Sequence, residues 1–294
     1  MKSLGRIFTA MITPFDAAGE VDTAEAVRLA KFLVARGNDG VVVSGTTGES
    51  PALETAEKLE LFAEIKAALG SGGTVIAGTS GNNTRHSVAL TREAEKTGVD
   101  AILAVVPYYN KPPHEGLLRH FGAIAEATTL PIVLYNVPAR TGLNMLPKTV
   151  HELARRHANI VAIKESTGDA EQFTELVRDN PRDDFTIWSG DDYYFLPSLR
   201  LGAYGIVSVA GHVCSGELRR MAELVDAGDL AGATRIHDAL MPLFTELFAY
   251  ASPIPVKWAM NQFGFRAGEC RSPLAPMPVE HQAKLQPLIA PFRP

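Results

Sequence analysis

Apolar residues in this chain come in short, nearly unbroken runs. Between the runs they return every three or four positions. The runs are IFTAMI (7–12), GVVVSG (40–45), TVIAG (74–78), AILAVV (101–106), PIVLYN (131–136), IVAIK (160–164), FTIWSG (185–190) and GIVSV (205–209). Each is too short for a helix of its own and rich in β-branched residues, so each reads as a buried strand. After the first run, Ala26, Leu29, Ala30, Leu33 and Val34 share one helical face. Asp22 and Glu25 stand ahead of it at capping-box spacing, and Gly37 follows as a stop. The same spacing recurs in Leu59, Phe62 and Leu69, in Leu117, Phe121, Ile124 and Ala125, and in Phe173, Leu176 and Val177 behind Asp169 as N-cap.

Strands alternating with amphipathic helices predict a parallel sheet, and runs apolar at nearly every position suit strands covered on both faces. Eight such units point to a closed (β/α)8 barrel, which leaves no edge strand to hide. The tail beyond Val209 reads as further helices, divided by the breaker SPIP. This gives a barrel over residues 1–225 and a C-terminal helical extension over 226–294.

In such a barrel the chemistry lies at the C-terminal ends of the strands. Those ends here read SGTTGES, PYYNKP, YNVPARTG, KESTGD and SGDD, rich in hydroxyls, glycines and charge. Lys164 ends an apolar run, an unusual place for an ammonium. Strand alternation turns Lys164 inward with Ala162 and Ile160, and Ile163 and Val161 outward. A buried amine suits attack on a carbonyl to form a Schiff base, whereas a lysine reaching along the rim to Glu165 needs no chemistry at all. Tyr135 ends the preceding strand and turns inward with Val133. It reads either as a proton carrier for that amine or as a packing aromatic. Thr46 and Thr47, between Gly45 and Gly48, form either a tight anion-binding turn or a plain one. Arg140 is either a carboxylate clamp or a solvated side chain.

Composition narrows the class. A net charge of −5 without a basic block argues against nucleic acid and anionic membrane as partners. Two distant cysteines, Cys214 and Cys270, read as reduced thiols. The apolar stretch from Ile7 is too short for a signal segment and runs into Pro14 and Asp16, so the expected location is cytoplasmic. The histidines show no metal-ligand spacing, and His114, His120, His151 and His157 read as packing or surface residues. Asp191 and Asp192 read as loop capping and solvation.

Taken together and in this order, GTTGES, PYYNKP, YNVPARTG, IKEST, SGDD and SPIPVKW resemble the pyruvate-dependent class I aldolases, the family that contains N-acetylneuraminate lyase and dihydrodipicolinate synthase. The likeness runs from TAMITPF to the PVKW region. It implies that Lys164 forms an imine with pyruvate and that Tyr135 relays protons. Thr47 would link Tyr135 to Tyr109 inserted from a neighbouring subunit. Thr46 and Thr47 would bind the pyruvate carboxylate, and Gly190 and Val207 would line the pocket. No cofactor and no metal are implied. The oligomer implied is a homotetramer built as a dimer of dimers. GTTGES rather than GSTGE, together with Arg140, favours the synthase branch, in which the second substrate is L-aspartate 4-semialdehyde with its carboxylate at Arg140. The product would enter diaminopimelate and lysine biosynthesis. The alternatives are another aldolase of the same chemistry, for 2-keto-3-deoxy sugar acids or 4-hydroxy-2-oxoglutarate, and a binding protein without catalysis. Val106 stands where threonine is usual, and KEST where KEAT or KEAS is commoner. An allosteric lysine site would use Ser50, Asn82 and Tyr108, which match. Thr55, Lys58 and His86 do not, and a lysine at 58 with a possible cation at 86 predicts weak or absent inhibition by L-lysine.

Overall fold

The computed structural model describes residues 4–294. Eight parallel strands close into a barrel in sequence order: β1 (Ile7–Ala10), β2 (Gly40–Val43), β3 (Thr74–Gly78), β4 (Ala101–Val105), β5 (Ile132–Asn136), β6 (Ile160–Glu165), β7 (Thr186–Ser189) and β8 (Gly205–Ser208). Each falls on one of the apolar runs, give or take two residues at its ends. Around them lie α1 (Thr23–Ala35), α2 (Thr55–Leu69), α3 (Thr84–Lys96), α4 (His114–Ala125), α5 (Pro138–Thr141), α6 (Pro147–Arg156), α7 (Ala170–Arg178), α8 (Phe195–Arg200) and α9 (Gly211–Asp226). Three more helices follow: α10 (Leu230–Phe248), α11 (Ile254–Gln262) and α12 (Val279–Ile289). They pack on α9 and on one another. Among the described residues no helix is long and apolar enough to cross a membrane.

Burial divides the apolar residues into two bodies, as strands covered on both faces require. Inside the barrel lie Phe8, Ala10, Val42, Ile76, Ala101, Leu103, Val133, Tyr135, Ala162, Trp188 and Val207. Between barrel and helices lie Ile7, Val41, Val43, Val75, Ala77, Ile102, Leu134, Ile163 and Ile206, with the apolar faces of the helices. Alternation fails at one place. β5 and β6 shift register between Ile132 and Val133, so Ile132 pairs with Ile160 but Val133 pairs with Ala162. The extra residue is a bulge. It turns Ile160 outward to the helices and Val161 into the barrel, the reverse of strict alternation from Lys164. From Ala162 onward the expected parity returns.

The helix starts show which sequence signals act. Asp22 accepts a hydrogen bond from Glu25 N, as expected of a cap. The return half of that capping box does not form. The Glu25 carboxylate instead binds Arg28 and the backbone of Arg266. A complete capping box occurs at Glu54 and Glu57, on α2. Asp169 caps α7 through Glu171 N and Gln172 N.

His120 and His151 are buried, as packing residues should be. His120 shares a hydrogen bond with Thr84 through Nδ1, while its Nε2 meets no partner, and burial pushes its pKa down to about 4. The unfolded chain therefore binds a proton that the folded chain refuses between pH 6.5 and about 4, and this part of the stability is lost as pH falls through that window. In H120L that contribution disappears. Its stability should fall less steeply than the wild type's on acidification, by up to about 1.4 kcal/mol per pH unit. Urea denaturation at stepped pH measures the two slopes.

Candidate active site

At the C-terminal mouth of the barrel a cavity of about 570 Å³ opens between the loops after β2, β3, β4 and β5. Thr46, Tyr135 and Arg140 line it, together with Ser50, Lys58, His86 and Tyr108. Tyr135 connects the cavity to Lys164. The two residues are paired neighbours on β5 and β6, both are 5% exposed, and Lys164 Nζ lies 4.2 Å from the Tyr135 ring centroid. An ammonium at this distance over a phenol ring is attracted by the ring's negative face.

Glu165 gives Lys164 no ion pair. It points to the opposite face of β6, where its carboxylate accepts from Asn136 Nδ2, Thr167 N and Gln172 Nε2. Burial pushes its pKa up to about 7 against these hydrogen bonds. The carboxylates that Lys164 feels belong to the loop after β7. Asp191 is pushed up to about 6 by burial, while the Lys164 and Arg140 charges pull it down. Asp192 is not solvated. It is 1% exposed and accepts from Ser208 Oγ, Val209 N and Ala210 N, holding the start of α9. Capping was legible for this pair in the sequence. Burial was not, because it depends on β8 passing over the loop.

The loop after β2 also differs in detail from a glycine-driven turn. The left-handed residues are Ser44 and Glu49, each with φ of 57°, not Gly45 or Gly48. Gly48 serves close approach: a Cβ there would lie 3.0 Å from Met11 O. Thr46 is half-buried at the cavity and Thr47 is buried. No hydrogen bond joins Thr47 to Tyr135 or Tyr109 among the described residues. Tyr109 is 88% exposed and left-handed at φ 73°, its ring projecting from the loop after β4. The structure therefore brings Thr46, Tyr135, Arg140 and Lys164 together and leaves Tyr109 outside. Gly190 sits against Lys164, where a Cβ would fall 2.8 Å from its Cε. Val207 lies in the barrel interior and pairs with Phe8. Asn82 stands beside the cavity mouth, its carbonyl accepting from Asn110 Nδ2.

The loop carrying Thr46 and Thr47 has an anchor that pattern reading missed. Glu49 and Lys257 of α11 form an ion pair at 2.7 Å with both side chains 2% exposed. Glu49 also accepts from Arg271 N, and Lys257 Nζ lies 3.9 Å from the Phe15 ring centroid. Both residues fall inside quoted motifs, GTTGES and SPIPVKW, but 208 residues separate them and nothing in the chain marks them as partners. K257M would leave the Glu49 charge buried alone. It should lower stability by about 3–5 kcal/mol. It should also loosen the loop that carries Thr46 and so raise the KM of a substrate held in the cavity, which thermal melts and substrate titration check.

The match to known families rests on the whole chain. Residues 3–291 fit the model of the dihydrodipicolinate synthetase family. The chain belongs to that family. A 4-hydroxy-tetrahydrodipicolinate synthase of Moorella thermoacetica is 50% identical over 281 residues, covering 96% of each chain. Among solved structures, dihydrodipicolinate synthase from Bacillus anthracis superposes with a TM-score of 0.95 at 43% identity over 98% of each chain. The enzyme from Cyanidioschyzon merolae, solved with lysine bound, gives 0.95 at 44% over 97% of each. The dihydrodipicolinate synthetase fold thus accounts for the closed barrel and for helices α10 to α12, all within the matched span.

Lys58 is the cavity residue that this family membership makes most informative. It is 9% exposed, makes no ion pair among the described residues and lines the cavity with Thr55 and His86. Burial pushes its pKa down, partly offset by Glu54 and Glu57. Thr55 Oγ1 and His86 Nε2 lie 3.4 Å apart above it.

Proposed function

We propose that this chain is a lyase-type synthase that condenses pyruvate with L-aspartate 4-semialdehyde to give 4-hydroxy-tetrahydrodipicolinate. The observation that carries the reading is the pairing of Lys164 with Tyr135 beside a cavity that also holds Thr46 and Arg140. The full-length relatives named as this synthase support it against the other aldolases.

In this reading Lys164 Nζ attacks the pyruvate ketone. The carbinolamine loses water to an imine, and loss of a proton from the methyl carbon gives the enamine. The Tyr135 phenol moves protons to and from the carbinolamine oxygen. Thr46 and the Thr47 backbone hold the pyruvate carboxylate on β2, across the barrel from β6. Arg140, exposed at the rim, receives the carboxylate of the semialdehyde as a fork of N–H donors. The enamine carbon then attacks the aldehyde, and the product amine closes the ring as Lys164 is released. Gly190 and Val207 shape the wall. Imine chemistry of this kind needs no added cofactor.

Tyr109 belongs to this reading through a partner subunit. An aromatic held in a left-handed conformation and almost fully exposed suits insertion into a second copy. There it would meet Thr47 and complete the relay, in a homotetramer built as a dimer of dimers. The expected location is the cytoplasm.

Purified protein should turn over pyruvate and L-aspartate 4-semialdehyde, followed by NADPH loss through dihydrodipicolinate reductase. Turnover with a keto-sugar acid or 4-hydroxy-2-oxoglutarate instead would replace the second substrate. L-Lysine titrated into the same assay should inhibit weakly or not at all. Lys58 lines the same cavity as Ser50 and Tyr108, with Asn82 next in sequence to the lining Gly81, so an incoming lysine would meet a like charge there. Half-inhibition at low millimolar lysine or below contradicts this.

A further inference from the structure

Ser166 follows Lys164 by two residues and so shares its face of the chain. Its side chain is 7% exposed, and its Oγ is buried without a hydrogen-bond partner. Other serines at the barrel mouth are satisfied. Ser44 Oγ donates to Ser50, Ser80 Oγ to Val105 O, Ser189 Oγ to Asp191 O and Ser208 Oγ to Asp192. Ser166's own backbone is paired too, its N–H donating to Asn136 O at 2.9 Å. A buried hydroxyl without a partner costs about 1–3 kcal/mol, and an alanine would fit the same space without that cost.

Its position says what is missing. A Cβ built on Gly190 would fall 1.8 Å from Ser166 Oγ and 2.8 Å from Lys164 Cε. Both atoms therefore border the same small space over this glycine. Ser166 lies toward the mouth from Lys164, on the side from which a second substrate arrives. The pyruvate carboxylate, in the reading above, lies at β2, four strands away around an eight-stranded barrel. The oxygen nearest Ser166 is then the one brought by the aldehyde.

We infer that Ser166 Oγ is a hydrogen-bond donor to the aldehyde oxygen of the second substrate, and so a specificity-determining residue of the condensation. The inference rests on the proposed function. In the step concerned, the enamine electron pair forms the new carbon–carbon bond and the nitrogen becomes an iminium. The carbonyl π pair moves onto the aldehyde oxygen, which takes its proton from the Tyr135 phenol. Ser166 donates its hydrogen bond as negative charge grows on that oxygen and keeps its own proton. A donor placed where charge develops acts on this step and not on imine formation.

The test separates the two half-reactions. With pyruvate alone in D2O, imine and enamine formation exchange the methyl protons, which NMR follows. Condensation is followed with the semialdehyde at saturating pyruvate. In S166A, exchange should stay within about twofold of wild type while kcat/KM for the aldehyde falls roughly 10²- to 10³-fold, the scale of one lost transition-state donor. S166C, with a weak donor of similar size, should fall between. Unchanged condensation in S166A overturns the inference. So does a parallel loss of exchange and condensation, which would make Ser166 a support for Lys164. If the wild-type protein exchanges no protons, the imine reading itself fails first, and the Ser166 assignment falls with it.

Discussion

K164A should lose condensation activity by at least ~10³-fold, the scale seen when a covalent nucleophile is removed, and should no longer be trapped by borohydride in the presence of pyruvate. The expectation follows from position. Lys164 is buried, faces the barrel interior, and borders Tyr135, Gly190 and the Asp191–Asp192 loop. Its amine makes no ion pair among the described residues, so truncation leaves no buried charge unpaired and the barrel should still fold. A thermal melt within a few degrees of wild type, alongside the lost activity, separates chemistry from folding. K164R keeps the charge but cannot form an imine and should be equally inactive. Residual turnover near wild type in either variant would move the nucleophile elsewhere.

G190A should damage the same site from the opposite wall. The added methyl meets Ser166 Oγ and the Lys164 Cε and Cγ at 1.8, 2.8 and 3.1 Å. All three atoms belong to buried side chains, so each must shift rather than swing into solvent. Overpacking of this kind costs about 1–3 kcal/mol of stability. The larger effect falls on catalysis, because a displacement of about 1 Å in a reacting group costs on the order of 10²-fold. Pyruvate trapping should slow together with turnover, since the shift moves the amine itself. Wild-type trapping rates in G190A would show that the lysine is not confined by this glycine.

The barrel was legible because its signal is repeated. Eight runs bounded by turns fix the strands, and burial on both faces writes them as continuous apolar stretches. The places where reading failed are places where a third element intervenes. The bulge at Val161 belongs to the fit of β5 against β6, and no residue in IVAIK marks it. Glu25 has capping-box spacing, yet Arg28 and Arg266 offer its carboxylate stronger, charge-assisted bonds. Ser44 and Glu49 are left-handed in place of the glycines beside them, and Glu49 is held from α11 by Lys257. Within the site, the inward placing of Lys164 and Tyr135 was legible from strand-end position, while their chemical role came only from the family resemblance. Arg140 and Thr46 gain meaning only when loops from different strands meet around one cavity. Ser166 was visible as a letter of KEST, but its unpartnered hydroxyl is visible only in three dimensions.

Among the described residues three lysines are buried: Lys58, Lys164 and Lys257. Lys257 is committed to Glu49, but Lys58 lines the cavity and makes no ion pair among the described residues, so it is the other buried amine within reach of pyruvate. The most direct measurement is therefore peptide mapping by mass spectrometry after borohydride reduction of the wild-type protein with pyruvate. The reduced adduct should sit on Lys164 alone. An adduct on Lys58, or none on Lys164, would contradict the account.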